Sequence, residues 1–415
     1  MRIPDSYLRS SYMRSLNNTK NSLAEVQYKL TTQRNVNKPS DNPLSNSRIL
    51  RLQNQLGNIN TYQTNITYGK SMIDSSTSSL ENMQVAIDSV NVELTKMNSA
   101  IVGDDYTTFA DSIDGSLDLI LDLANSEFNG QYNFGGSENG SKPFQYDEAN
   151  GRVTTPNYIG GTKEVRISES IKQEFNIPGR DLFQSVLTQK GNLDSRLDVG
   201  IAQDSSTTVY DAEGNEYTLN MIYTKTADNE YQLTYDVVDS DSNTVSSETV
   251  TDIKFDTTTG KFASVGDDKF GEIKVTVPGN KIDFVIDVSK LKISESDKVL
   301  NENLNQKADI FNTLISIRDN LRDGTKPTEE QIQLVKDFNQ HLLNNLSSAG
   351  AISNKLTSAE EVLNNREVEV TELLSTEQDV DVARALIDLE TTQYALDLTY
   401  KISSMILPKS LLDYL

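Results

Sequence analysis

Few side chains in this sequence have the type and spacing that chemistry requires. Asp239-Ser240-Asp241-Ser242-Asn243 begins like a calcium loop, with oxygen ligands at alternate positions. Such a loop needs glycine at position six and glutamate at position twelve, where this chain has Thr244 and Val250. The segment reads as a polar hairpin tip. Asp104-Asp105 and Asp267-Asp268 are adjacent acids, but acid–base catalysis needs two carboxylates converging on one reacting group, and neighbours in a turn point apart. In Ser40-Asp41-Asn42-Pro43, Ser40 and Asp41 can offer side-chain oxygens to free amides at a helix start, a capping role. His341, the single histidine, lies beside an apolar row and reads as a seam or surface residue. With no cysteine there is no disulfide or thiolate metal site. Neither the GxGxxG nor the Walker glycine pattern occurs. These residues predict no catalytic, cofactor-binding or metal-binding site, and a protein that is not an enzyme.

The pattern that does organise the chain is apolar. Every seventh residue from Leu52 runs Leu52, Ile59, Ile66, Ile73, Leu80, Ile87, Leu94 and Ile101. The row three residues later is mixed, with Gly69 and Ser76 interrupting it. This is a heptad seam with one strong row. At 1.5 Å per residue its roughly 57 residues predict a helix of about 85 Å, too long for an ordinary compact domain. Burying such a row contributes roughly 1.5–3 kcal/mol per side chain before entropy, so the helix needs a partner. Lys326-Pro327-Thr328-Glu329-Glu330 reads as a helix start, and the rows that follow include Val335, Leu342, Ala349, Leu356, Leu363 and Val370. Seam residues from opposite ends of the chain, among them Leu342, Leu356 and Leu363, are expected to face the first row. A shorter helix with Leu300, Leu304, Phe311, Leu314 and Leu321 is expected just before, ending near Gly324.

Between the helical halves the period changes. Residues 129–183 are rich in Gly, Asn and Pro, with a short alternating stretch at Val165-Arg166-Ile167. From about 191 to 295 the period is two: Tyr217, Leu219, Met221, Tyr223; Tyr231, Leu233, Tyr235, Val237; Ile282, Phe284, Ile286, Val288. Turn signals at Glu213-Gly214-Asn215, Thr259-Gly260-Lys261 and Pro278-Gly279-Asn280 separate these runs. The fold class is therefore mainly α with an inserted antiparallel β domain, in which a long helical rod is built from the N- and C-terminal halves. The expected domains are terminal helical segments (1–44 plus 375–415), a rod core with a small β element (45–190 plus 296–374), and an outward-facing β insert (191–295).

Charge narrows the partners. The net charge is -23, which repels phosphate backbones and anionic lipid, so neither nucleic acid nor a membrane surface is an expected partner. No apolar stretch is long enough for a membrane span, and Met1-Arg2-Ile3-Pro4-Asp5 does not begin a secretory signal peptide. The insert carries 20 acids against 9 bases, as suits a knob projecting into water. Residues 1–40 net +5 and residues 375–415 net -4, and both have helical apolar spacing. Leu16, Leu23, Val26 and Leu30 mark one end; Val380, Ile387, Tyr394, Leu398, Ile402, Leu411, Leu412 and Leu415 mark the other. Opposite charge suggests that the ends pair. Fixing each residue costs roughly 1–2 kcal/mol of backbone entropy, which a lone helix pair offsets poorly. Both ends are therefore expected to be disordered in the isolated subunit and to fold against neighbouring copies.

These motifs together resemble the flagellin superfamily, in its hook–filament junction branch. The resemblance rests on Met1-Arg2-Ile3 with Leu23-Ala24-Glu25-Val26-Gln27, and on Asn37-Lys38-Pro39-Ser40-Asp41-Asn42-Pro43, where Pro43 favours the junction type over flagellin proper. It continues in Asn129-Gly130-Gln131-Tyr132-Asn133-Phe134-Gly135-Gly136 with Lys142-Pro143-Phe144, and in Ala349-Gly350-Ala351-Ile352-Ser353-Asn354-Lys355-Leu356. It ends in Glu377-Gln378-Asp379-Val380-Asp381-Val382-Ala383 and the leucine-rich Leu411-Leu412-Asp413-Tyr414-Leu415. It covers about 1–190 and 297–415. Within the insert, Val209-Tyr210-Asp211-Ala212-Glu213-Gly214-Asn215-Glu216-Tyr217 resembles a segment in the outer domain of hook proteins. The resemblance implies an extracellular structural subunit of the bacterial flagellum, secreted through the flagellar type III export apparatus. It implies no cofactor. Its implied partners are the first hook-associated protein, flagellin, an FlgN-type export chaperone, and further copies of the chain in a ring or layer. The alternatives are a flagellin-like filament subunit, and an adhesin or interaction role for the β insert.

Overall fold

The computed structural model describes residues 5–98, 106–277, 279 and 281–406. About half the chain is helical: α1 (Asp5–Thr32), α2 (Pro43–Asn98), α3 (Thr107–Ala124), α4 (Gly179–Phe183), α5 (Ile310–Arg322), α6 (Glu329–Gln378) and α7 (Val382–Ile406). Three two-stranded hairpins follow α3: β1 (Glu127–Phe128) with β2 (Gln131–Tyr132), β3 (Gln145–Asp147) with β4 (Arg152–Thr154), and β5 (Glu164–Arg166) with β6 (Lys172–Glu174). Then come β7 (Val186–Asp194), β8 (Ala202–Tyr210), β9 (Glu216–Ala227), β10 (Glu230–Val238), β11 (Thr244–Phe255), β12 (Phe262–Val265), β13 (Glu272–Val277), β14 (Ile282–Ser294) and β15 (Val299–Leu304). The expected class stands, helical with an inserted β domain. By its contacts the chain divides into two units, residues 1–64 with 358–415, and residues 65–357. These boundaries fall inside α2 and α6, twenty and seventeen residues from those expected at 44 and 374.

The larger unit holds the β domain. One sheet runs β12-β11-β10-β9-β8 and the other β13-β14-β7-β15. Their inward residues form one core, including Leu219, Met221, Tyr223, Leu233, Tyr235 and Phe284. The period-two pattern sets the register: Leu233 faces Tyr223, Tyr235 faces Met221 and Val237 faces Leu219, which puts every large side chain on the same face. The sheets reach beyond 191–295 on both sides, because β7 begins at Val186 and β15 ends at Leu304. One pairing, β14 with β7, is parallel. Leu300 and Leu304 belong to β15 rather than to a helix: their spacing of four fits both periods, and the alternating exposure along Val299–Leu304 shows that the strand won. The helix starts only at Ile310, where the Asp309 side chain accepts the Asn312 amide at 2.9 Å.

Beneath the sheets the larger unit contains an aromatic cluster. Phe183 lies 5.5 Å from Phe134, 5.0 Å from Phe144 and 5.2 Å from Phe311, ring centre to ring centre. Within this unit the side chains of Asn339 and Asp88 meet at 3.1 Å, and those of Ser353 and Asp74 at 3.1 Å, which fixes α6 antiparallel to α2. Gly69 explains one gap in the second heptad row. A Cβ there would come within 3.3 Å of Phe175 and Val165, so glycine admits the β5–β6 hairpin against the helix. Ser76, the next interruption, is fully buried and bonds the Met72 carbonyl at 3.0 Å.

In the smaller unit α2 and α6 are again antiparallel. Arg48 pairs with Glu377 at 2.8 Å, and Gln63 donates to Asn364 at 2.8 Å and Glu367 at 2.7 Å. Asn42, not Ser40 or Asp41, caps α2: its side-chain oxygen accepts the amides of Leu44 and Ser45, both at 3.1 Å. Asp41 turns back to accept the amides of Asn37 and Lys38 at 3.0 and 2.8 Å, and these bonds hold its carboxyl below the usual range.

Candidate assembly surface

Two classes of apolar residue were singled out, and the structure places them differently. In the larger unit Ile66, Ile73, Leu80, Ile87 and Leu94 on α2 are buried, as are Leu342 and Leu356 on α6. In the smaller unit Ile59 and Leu363 are buried and Leu52 is half-buried. Side chains closed inside a subunit hold it together and cannot hold a neighbour.

The terminal helices differ. α1 and α7 pair antiparallel within the smaller unit. Tyr12 donates to the Thr399 carbonyl at 3.0 Å, and Lys20 lies 5.8 Å from the Tyr400 ring centre. At their base the backbone amide of Asn35 bonds the Gln378 carbonyl at 2.8 Å, and that of Val380 bonds the Gln33 carbonyl at 3.1 Å. This two-helix contact buries Leu16 and half-buries Leu23, Val26, Leu30 and Val380. It leaves Ile387 64% exposed and Tyr394 70% exposed, with Leu398 and Ile402 also in the open. Leu411, Leu412 and Leu415 lie outside the described residues. Exposed apolar side chains repeated along one element mark an interaction surface. Sequence reasoning missed Val362 and Val368 on α6 and Leu44 and Leu50 on α2, all exposed in the same unit. They sit off the heptad rows, and only the structure shows that nothing in the unit covers them.

The polar candidates are engaged locally. Asp239 accepts the amides of Asp241 and Asn243 at 2.9 and 2.8 Å, closing the β10–β11 hairpin, and these bonds lower its carboxyl. Asp268 accepts the Phe270 amide at 2.9 Å. The His341 Nε2 sits 2.9 Å from the Asp181 carbonyl. Asp104 and Asp105 lie outside the described residues. Among the described residues, no helix is long and apolar enough to cross a membrane.

Residues 3–139 match the bacterial flagellin N-terminal helical region, and residues 188–401 match the flagellar basal body protein FlaE D2 domain. The second match takes in over half the chain, which therefore belongs to the flagellar family that this domain defines. Flagellar hook-associated protein 3 of Escherichia coli (strain K12) is 25% identical over 240 residues, 54% of this chain and 73% of that protein. Its counterpart in Salmonella typhimurium is 25% identical over 190 residues, 45% of this chain and 58% of that protein, so less than two thirds of that relative is spanned. Among solved structures, flagellar hook-associated protein 3 of Legionella pneumophila aligns with a TM-score of 0.47 at 16% identity, over 79% of this chain and 98% of that one. FlgL of Xanthomonas campestris aligns with a TM-score of 0.45 at 16% identity, over 78% and 99%. The proteins it matches are flagellar ones.

Proposed function

We propose that this chain forms a short layer between hook and filament, seated on the first hook-associated protein and receiving flagellin on its other side. The observation that supports this most is the open apolar face of α7. A helix that leaves Ile387 and Tyr394 mostly in water is poorly stabilised in a lone subunit and gains burial from neighbours. In this reading residues 1–44 and 375–415 are unfolded before assembly and fold into an inner tube with adjacent copies. The α2 and α6 helices form the wall, and the β insert faces outward. An unfolded N-terminus suits passage through the flagellar export apparatus, and an FlgN-type chaperone covers the C-terminal apolar segment beforehand. Its work is multivalent helix packing, without turnover of any substrate.

Deleting the gene tests the role. The expected phenotype is intact hooks without filaments, with flagellin released into the medium. Filaments of normal length on the deletion strain contradict it. Long filaments growing from the purified protein alone favour a flagellin-like subunit instead, since a junction protein stops after a layer.

A further inference from the structure

Near the start of α2 the smaller unit carries an open notch of about 310 Å³, lined by Arg48, Arg51, Leu52, Leu373 and Glu377. Antiparallel packing of α2 and α6 creates it. Arg48 and Arg51 stand one turn apart on one helix, and Leu373 and Glu377 one turn apart on the other. Leu373 is 48% exposed and Leu52 half-buried, so part of the lining is apolar surface left in water. Glu377 neutralises Arg48 at 2.8 Å. Arg51 is exposed and has no ion-pair partner among the described residues. The notch thus combines apolar surface with one spare positive charge, in a chain whose net charge is -23. An occupant that fits must bring an apolar anchor flanked by carboxylates. The α7 helix has both. Ile387, Tyr394 and Leu398 form its open stripe, and Glu390 and Asp397 run along one edge, each three or four residues from Tyr394. Both acids are exposed and have no ion-pair partner among the described residues. The open residues of α1 fit worse, because Met13 adjoins Arg14 and Tyr28 adjoins Lys29, which bring more positive charge. Tyr394 does not fill the notch of its own subunit, where it is 70% exposed.

We propose that the notch takes the Tyr394 stretch of α7 from a second copy of this chain. This rests on the reading that α7 folds against neighbours, and it names the surface that α7 meets. The Tyr394 ring packs on Leu52 and Leu373, and burial of that ring supplies the affinity. A guanidinium lying over the ring adds a cation–π contact. Attraction between Arg51 and the Glu390–Asp397 edge selects which side of the stripe enters, and so fixes the orientation of the incoming helix. Notch and stripe are different surfaces of one chain, so the contact is heterologous. Each copy receives one neighbour and enters another, which builds a ring or a helical layer.

Adding full-length chains to hooks from the deletion strain tests this. Arg51→Glu, and separately Glu390→Arg with Asp397→Arg, should each cut the amount added by about tenfold, and all three changes in one chain should restore it. A second measurement uses the absence of native cysteine. Hooks are given a mixture of two chains, one with Gln55→Cys, a turn beyond Arg51, the other with Thr391→Cys, a turn before Tyr394. Both positions are exposed, and mild oxidation should link the two chains as a disulfide dimer. If a charge reversal unfolds its chain, the cysteine pair decides alone. Undiminished addition after either reversal overturns the proposal, as does a triple variant that adds no better than the single reversals. So does a mixture that adds to hooks but forms no dimer, or whose cysteines link only to a different protein. Failure of the unaltered chain to add to hooks overturns the layer reading itself, and this inference with it.

Discussion

The two units of this chain use the same kind of helix to opposite ends. In residues 65–357, α2 and α6 close an apolar stripe inside a unit that also holds a phenylalanine cluster and a two-sheet core. In residues 1–64 with 358–415 the described elements are helices and short connecting loops, and several large apolar side chains stand in water. Amphipathic spacing alone does not separate the cases, because Ile73 and Ile387 both sit in good helical patterns. What separates them is the supply of partners within the chain: hairpins, α3, α5 and the sandwich in one unit, helices alone among its described elements in the other. The Ile73 side chain is closed inside its unit, whereas Ile387 stays 64% exposed in the other.

Substitutions sharpen this contrast. Phe183→Ala removes the ring at the centre of the aromatic cluster and should destabilise the subunit by about 3–5 kcal/mol, read from the denaturant midpoint. A loss under about 1 kcal/mol would mean that the cluster is loosely packed. Gly191→Ala is expected to cost on the order of 1–3 kcal/mol, because a Cβ there would collide with the Val299 carbonyl across the β7–β15 pair. Its check is the thermal midpoint of the purified subunit. The smallest effect on subunit stability, within about 0.5 kcal/mol, belongs to the double substitution Ile387→Ala with Tyr394→Ala. The same protein should fail to add to hooks. Subunit stability lost as heavily as in Phe183→Ala would erase the distinction between the two units.

Much of this was legible in the residues. The Leu52-to-Leu94 row and the alternation from Tyr217 to Val237 are long and strictly periodic, so they read without a structure. The shorter or non-local features did not. Leu300 and Leu304 satisfied two periods at once, and pairing with β7 decided between them. The parallel β7–β14 contact joins residues about a hundred positions apart and leaves no local mark. The aromatic cluster draws Phe134, Phe144, Phe183 and Phe311 from loops and short elements with no repeat to announce it. The capping residue was misplaced by one or two positions, since Ser40, Asp41 and Asn42 all offer suitable oxygens and only backbone geometry selects Asn42. On the assembly surface the terminal apolar rows were readable, whereas Val362, Val368, Leu44 and Leu50 were not.

Hydrogen exchange on a verified monomer bears most directly on the division of labour. Amides of residues 73–94 and 335–356 should exchange slowly, while those of 5–32 and 382–406 should exchange nearly as fast as an unfolded chain and gain protection once assembled on hooks. Equal, strong protection of both terminal helices in the monomer would contradict the account, because it would show that this pair needs no neighbour to fold.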